Sequence, residues 1–194
     1  MKRVRRLAVA GLLFVILGVP VVAADPEPPR IPYIARGVCP FEGCQYGTWV
    51  SYSPLRVYKT EGDTSVVAFT IAPHEQFQAL RGNVHVVKLG EVRVRRPIQA
   101  APGRTLQRGV EISVLAYRGE GRYEIWDRGT FFIAKAFWPP FVPMERPAAE
   151  ITTWPEMLWW VLVKSTGARQ GWLRLRNVSR SGFEFNEPLC TGPC

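Results

Sequence analysis

Fourteen residues, Trp159 to Trp172 (WWVLVKSTGARQGW), bracket a polar tract with three tryptophans. Aromatic side chains at this density suit stacking against an extended ligand, as in the aromatic grooves that hold peptides. On a strand, Trp159, Val161 and Val163 point one way and Trp160, Leu162 and Lys164 the other. One tryptophan is therefore expected in a core. Its neighbour packs against a long loop or stands exposed. A groove built on Trp160 would take Tyr52, Tyr58, Trp126 and Trp138 as its other walls. The stretch as a whole is read as closing a fold.

Acid–base chemistry has its own candidates. Glu120, Glu124 and Asp127 surround one predicted turn, and a pair of carboxylates can serve a hydrolase as acid and base. Their place near turns predicts solvent exposure instead. His74 falls in a turn, and His85 alternates with Val84 and Val86, which predicts a solvent-facing ring. No nucleophile elbow, zinc-protease helix motif or phosphate-binding loop is present. No catalytic residue, metal or cofactor is assigned.

Lys88, Arg93, Arg95 and Arg96 share one predicted hairpin. They make a basic surface for an anionic envelope polymer, or charges that keep an edge strand from pairing.

Compartment follows from the N-terminus and the cysteines. Lys2, Arg3, Arg5 and Arg6 precede the uncharged run Leu7–Val22, and Val22-Ala23-Ala24 offers a cleavage site, so residues 1–24 read as an export signal. An uncleaved anchor is the alternative. Those four basic residues leave 21 Lys+Arg against 16 Asp+Glu, a net charge of +5. That excess is too small and dispersed to argue for nucleic acid. In an exported chain Cys39, Cys44, Cys190 and Cys194 read as disulfides. Cys39–Cys44 and Cys190–Cys194 close short Pro- and Gly-containing loops and are favoured, with a staple between the termini as the rival.

The elements that must position these residues are short strands. Residues 25–38 hold four prolines and read as a flexible or polyproline leader, with the first cysteine pair completing it to residue 45. Strands are predicted at Thr48–Tyr52, Leu55–Thr60, Val66–Ile71 and Phe77–Leu80, the last ended by Arg81-Gly82-Asn83. Val84–Val87 and Val92–Arg96 read as a hairpin, and Gln99–Thr105 as a connection. Further strands fall at Glu111–Tyr117, Tyr123–Trp126, Thr130–Ala134, Leu158–Lys164 and Gly171–Arg176, with a last one at Phe183–Phe185. Residues 138–155, with five prolines, read as a long loop or short helical excursion, and Asn177-Val178-Ser179 as a formal glycosylation sequon. The pattern is all-β, of the small-barrel or sandwich kind.

Trp160-x-x-Val163, a polar turn and Gly171-Trp172-Leu173 resemble the closing hairpin of bacterial SH3-like (SH3b) domains. Leu55-Arg56-Val57 with Val66–Ile71 and Pro73–Leu80 looks like the N-terminal half of that family, and Gln107–Leu115 like its strand after the first loop. The resemblance implies either two SH3-like units in tandem, 46–100 and 101–188, the second with an insertion at 127–157, or one barrel with a long insertion, before a Cys-containing tail at 189–194. It also implies a non-catalytic envelope module that holds a peptide, a protein or peptidoglycan. A small envelope hydrolase using the acids near 120–127 is the alternative, as is a secreted inhibitor using loop 138–155.

Overall fold

The computed structural model describes residues 26–42, 44–139, 142, 147–176 and 189–191. They form an all-β protein. The strands are β1 Tyr33–Arg36, β2 Gly47–Ser51, β3 Leu55–Thr60, β4 Asp63–Ile71, β5 Gln76–Lys88, β6 Gly90–Val94, β7 Ile98–Ala101 and β8 Arg104–Leu106. They continue as β9 Glu111–Tyr117, β10 Arg122–Asp127, β11 Thr130–Lys135, β12 Ala149–Thr153, β13 Glu156–Ser165, β14 Gln170–Arg176 and β15 Leu189–Thr191.

Two antiparallel sheets divide them. The large sheet has the order β15-β2-β5-β13-β14-β3-β4, with β1 also on β5. The small sheet has the order β11-β10-β9-β6-β12, and β7 pairs with β8 alone. Among the described residues β15 and β4, the two ends of the large sheet, do not pair with each other. The large sheet thus draws on both ends of the chain, and the small sheet on its middle.

A bent ribbon joins the two. β5 pairs with β13 as far as Lys88 opposite Glu156, and β6 pairs with β12 from Glu91 opposite Thr153. The chain passes between sheets at Leu89 on one arm and at Trp154-Pro155 on the other. Gly90 is needed at this corner. A side chain there would meet the Pro155 ring at 2.7 Å and the Thr153 carbonyl at 3.2 Å. Proline, which cannot donate to a ladder, sits where the ladder breaks.

Several expectations change here. Phe77–Leu80 and Val84–Val87 are one 13-residue strand, β5. Arg81-Gly82-Asn83 is no turn. Gly82 lies mid-strand because the Trp159 indole and the Tyr46 hydroxyl pack onto its Cα from one side. The expected hairpin of Val84–Val87 with Val92–Arg96 is absent, since β6 leaves for the small sheet and lies between β9 and β12. Gln99–Thr105 falls largely in the β7–β8 hairpin rather than an open connection. The leader is not free along its length either. β1 pairs with the second half of β5, and Ala35 is buried. Within 138–155, residues 149–153 form β12, and the Trp138 indole is fully buried beside Tyr123, ring centroids 5.4 Å apart. The hairpins β10–β11 and β13–β14 stand as expected. The export signal, the sequon, the Phe183–Phe185 strand and Cys194 lie outside the described residues.

The core of the large sheet centres on Trp49, Phe77 and Trp159. Trp49 lies 6.0 Å from Phe77 and 5.5 Å from Trp159, ring to ring. Each such side chain buries enough apolar area to contribute roughly 2–3 kcal/mol. Cys39 and Cys44 are disulfide-bonded, their Cα atoms 6.0 Å apart. Their loop sets Phe41 edge-on against Trp159 and brings the Glu42 carboxylate to the Tyr117 hydroxyl and the Glu120 amide. The loop thereby ties the large sheet to the small one.

Candidate functional site

Cross-strand register assembles the most ligand-ready surface. Residues directly opposite in antiparallel strands put their side chains on the same face. Val67 lies opposite Tyr58, Tyr58 opposite Trp172, Trp172 opposite Leu162, and Leu162 opposite Arg81. One row thus crosses β4, β3, β14, β13 and β5 on the outer face of the large sheet. At roughly 4.8 Å per strand it is about 19 Å long. Val67 and Arg81 are exposed, while Tyr58, Trp172 and Leu162 are half-buried. The opposite faces of β3 and β14 carry Val57 and Leu173, both core.

Glycine sets the closeness of this row. A Cβ on Gly171 would meet the Tyr58 carbonyl oxygen and Val57 Cγ1, each at 2.7 Å. The Gly-Trp step therefore lets β14 lie tight against β3 and brings Trp172 beside Tyr58. At the far end the Arg81 guanidinium lies 5.8 Å from the Trp172 ring centroid. That is within reach of a cation–π interaction.

The neighbouring row is charged. By alternation Arg56, two residues before Tyr58, and Arg174, two residues after Trp172, lie on this same outer face. Trp160 lies beyond Arg174, and Asn83 beyond Trp160. Both arginines are exposed, and among the described residues neither has an acidic partner.

Trp160 itself does not reach solvent. It is 1 % exposed, with Tyr58 and His85 each 6.0 Å away ring to ring. The turn between β3 and β4 folds over this end of the sheet. There Glu61 bonds His85 Nε2 at 2.7 Å and accepts twice from Asn83 Nδ2 at 2.9 Å. The Asn83 side-chain oxygen Oδ1 accepts from the Gly37 amide. The His85 ring is accordingly buried and paired. Alternation put it on the outer face correctly, and the long-range contact with Glu61 covers it.

The five aromatics expected to form one groove do not converge. Only Tyr58 and Trp160 meet. Tyr52 is exposed and stands 6.4 Å from His74, in another part of the large sheet. Trp126 is half-buried on β10 of the small sheet, and Trp138 lies in that sheet's core. The residues missed are Trp172, Arg56, Arg81 and Arg174. Trp172 was available as part of the Gly-Trp signature.

The expected basic surface is charge-paired. Arg93 donates to Glu111 at 2.9 and 2.6 Å, which pushes its pKa up. Arg95 is bonded to Glu150, and Lys88 lies 3.8 Å from Glu156. Arg96, two residues past the end of β6, is exposed.

The carboxylates also differ from expectation. Glu120 is exposed, but Glu124 and Asp127 are buried because both are held by arginines. Arg118 donates to Glu124 Oε2 at 3.0 and 2.6 Å, and the Tyr33 hydroxyl donates to Oε1 at 2.7 Å. Burial and this hydrogen bond push the Tyr33 pKa up to about 12. Arg104 and Arg128 grip Asp127 at 2.6 and 3.0 Å. These acids fasten strands together.

A cleft of about 320 Å³ opens beside the disulfide loop, between Val38, Phe41 and Tyr117. Its polar members Glu42 and Arg118 are already engaged, so it offers a ligand less than the aromatic row does. Among the described residues no group of three or more His, Cys, Asp or Glu side chains is placed to hold a metal ion. No family model, curated protein or solved structure matches this chain.

Proposed function

We propose that the protein is an exported, non-catalytic binding module of the cell envelope, SH3-like in kind, holding a wall polymer, peptide or protein on the outer face of its large sheet. The observation that carries this reading is the row Val67–Tyr58–Trp172–Leu162–Arg81. It gathers two aromatic rings, two aliphatic groups and a cation on adjoining strands, partly open to solvent. Such a surface offers stacking area at little cost in side-chain freedom, because Tyr and Trp have few rotatable bonds. The Cys39–Cys44 disulfide and the charged N-terminal segment support export.

The test is co-sedimentation of the purified mature protein with isolated cell-wall sacculi at low and high salt. Trp172→Ala should reduce pelleting at least tenfold at both salt concentrations. Pelleting equal to that of the parent would remove the aromatic row from the interaction. Failure of the parent protein to pellet at either salt would turn the search to protein partners.

A further inference from the structure

We infer that the ligand of this face is an acidic glycan, with sugar rings against Trp172 and Tyr58 and a carboxylate between Arg56 and Arg174. The inference rests on the binding reading above and adds the chemistry of the occupant.

Charge is the first argument. Like charges close together on neighbouring strands repel. Arg56 and Arg174 are exposed on the same face of two paired strands, each one step of alternation from the Tyr58–Trp172 pair, and no described acid pairs with either. Arg81 adds a third exposed cation at the end of the adjacent row, and half-buried Lys164 follows Leu162 by one step of alternation on the same face. The structure spends its available acids elsewhere. Glu111, Glu150, Glu156, Glu124 and Asp127 are all paired with other basic residues. A planar anion entering between two guanidinium forks would turn the repulsion into charge-assisted hydrogen bonds.

Sheet topology is the second argument. β3, β14 and β13 are all interior strands, and the free edge on this side of the sheet is β4. An extended peptide gains much of its affinity from main-chain bonds at a free sheet edge. Across β3, β14 and β13, where the rings and the two arginines lie, this face offers no such edge. It offers ring surfaces and guanidinium groups spaced across strands, which serve a chain of sugar rings bearing carboxylates.

Oligogalacturonate is the probe, titrated calorimetrically into the full mature protein at moderate salt. A neutral cello-oligosaccharide of equal length and an oligoglutamate of equal charge serve as comparisons. The acidic sugar should bind at least tenfold more tightly than either. The double substitution Arg56→Gln with Arg174→Gln should weaken it at least tenfold. Arg93→Gln with Arg95→Gln, on the charge-paired face, should leave it unchanged. Both double variants should retain the parent's cooperative thermal transition. Equal binding of oligoglutamate would reduce the site to charge alone and overturn the inference, as would full affinity in the Arg56/Arg174 variant. Retained sacculus pelleting without oligogalacturonate binding would overturn the acidic-glycan inference and leave the binding module standing. Loss of both would sink the two together.

Discussion

Arg93 and Arg174 occupy comparable places on two sheets and meet opposite neighbours. Each is exposed on an interior strand. On the small sheet the residue across from Arg93 on β9 is Glu111, and the neighbouring Glu150 takes Arg95. On the large sheet the residue across from Arg174 on β13 is Trp160, and the exposed residue on the same face of β3 is Arg56. The first arrangement is internally neutral and helps fix register. The second leaves charge unanswered beside two aromatic rings. Composition cannot separate these cases, because both contribute the same residue type. The partner decides what an arginine is for.

The sharpest way to break the comparison lies at the most buried charge of the small sheet. Asp127 is 1 % exposed and sits between Arg104 and Arg128. Asp127→Asn should lower unfolding free energy by about 3 kcal/mol, since it strands a partly buried guanidinium. Urea denaturation reads this directly. A change near zero would mean the small sheet's ion pairs are not structural.

Gly171→Ala comes next, with an expected loss of about 2 kcal/mol from overpacking. Because it pushes β14 off β3, it should also weaken the proposed wall binding. Loss of stability with undiminished binding would show that the Tyr58–Trp172 spacing is irrelevant to the ligand.

Alkaline titration probes how β1 docks on the small sheet. The Tyr33 pKa in the folded protein is raised, to about 12, from an unfolded value of 10.0. Its contribution is therefore fully present below pH 10 and is lost as pH rises through 12. Tyr33→Phe should flatten stability over that window, as followed by thermal melts. A parent and variant with identical alkaline slopes would count against the Tyr33–Glu124 contact.

The smallest effects carry the cleanest sign. Arg93→Gln should slightly lower the melting temperature, and Arg174→Gln should leave it unchanged or slightly raise it. Matching decreases in both would erase the distinction between the two faces.

Much of the strand inventory was legible because alternation is local. β3, β13 and β14 show it, and the turns after β3, β9 and β10 carry glycines at positive φ, Gly62, Gly119 and Gly129. What was not legible depended on partners far along the chain. Gly82 looked like turn punctuation, yet it makes room for Trp159 and Tyr46. Val92 and Val94 looked like the return arm of a hairpin with β5, yet they pair with β9 and β12. The aromatic row was half legible. The Gly-Trp step was visible, but which residue lay across from Trp172 depended on a register set some 110 positions away, at Tyr58.

The bent ribbon at Leu89 and Trp154-Pro155 has a kinetic consequence. Pairing β13 with β5 requires closing a loop that holds the whole of the small sheet. The entropy lost in closing a flexible loop grows as about 1.5RT ln n. If the small sheet forms first, its β6–β12 arm brings Lys88 and Glu156 together and most of that loop is already spanned. The middle of the chain should then protect its amides before β13 and β14 do. Pulse-labelling hydrogen exchange during refolding would show this order, and simultaneous protection of both sheets would exclude it. The Trp172 row would form last, so a chain presenting that row would already be fully folded.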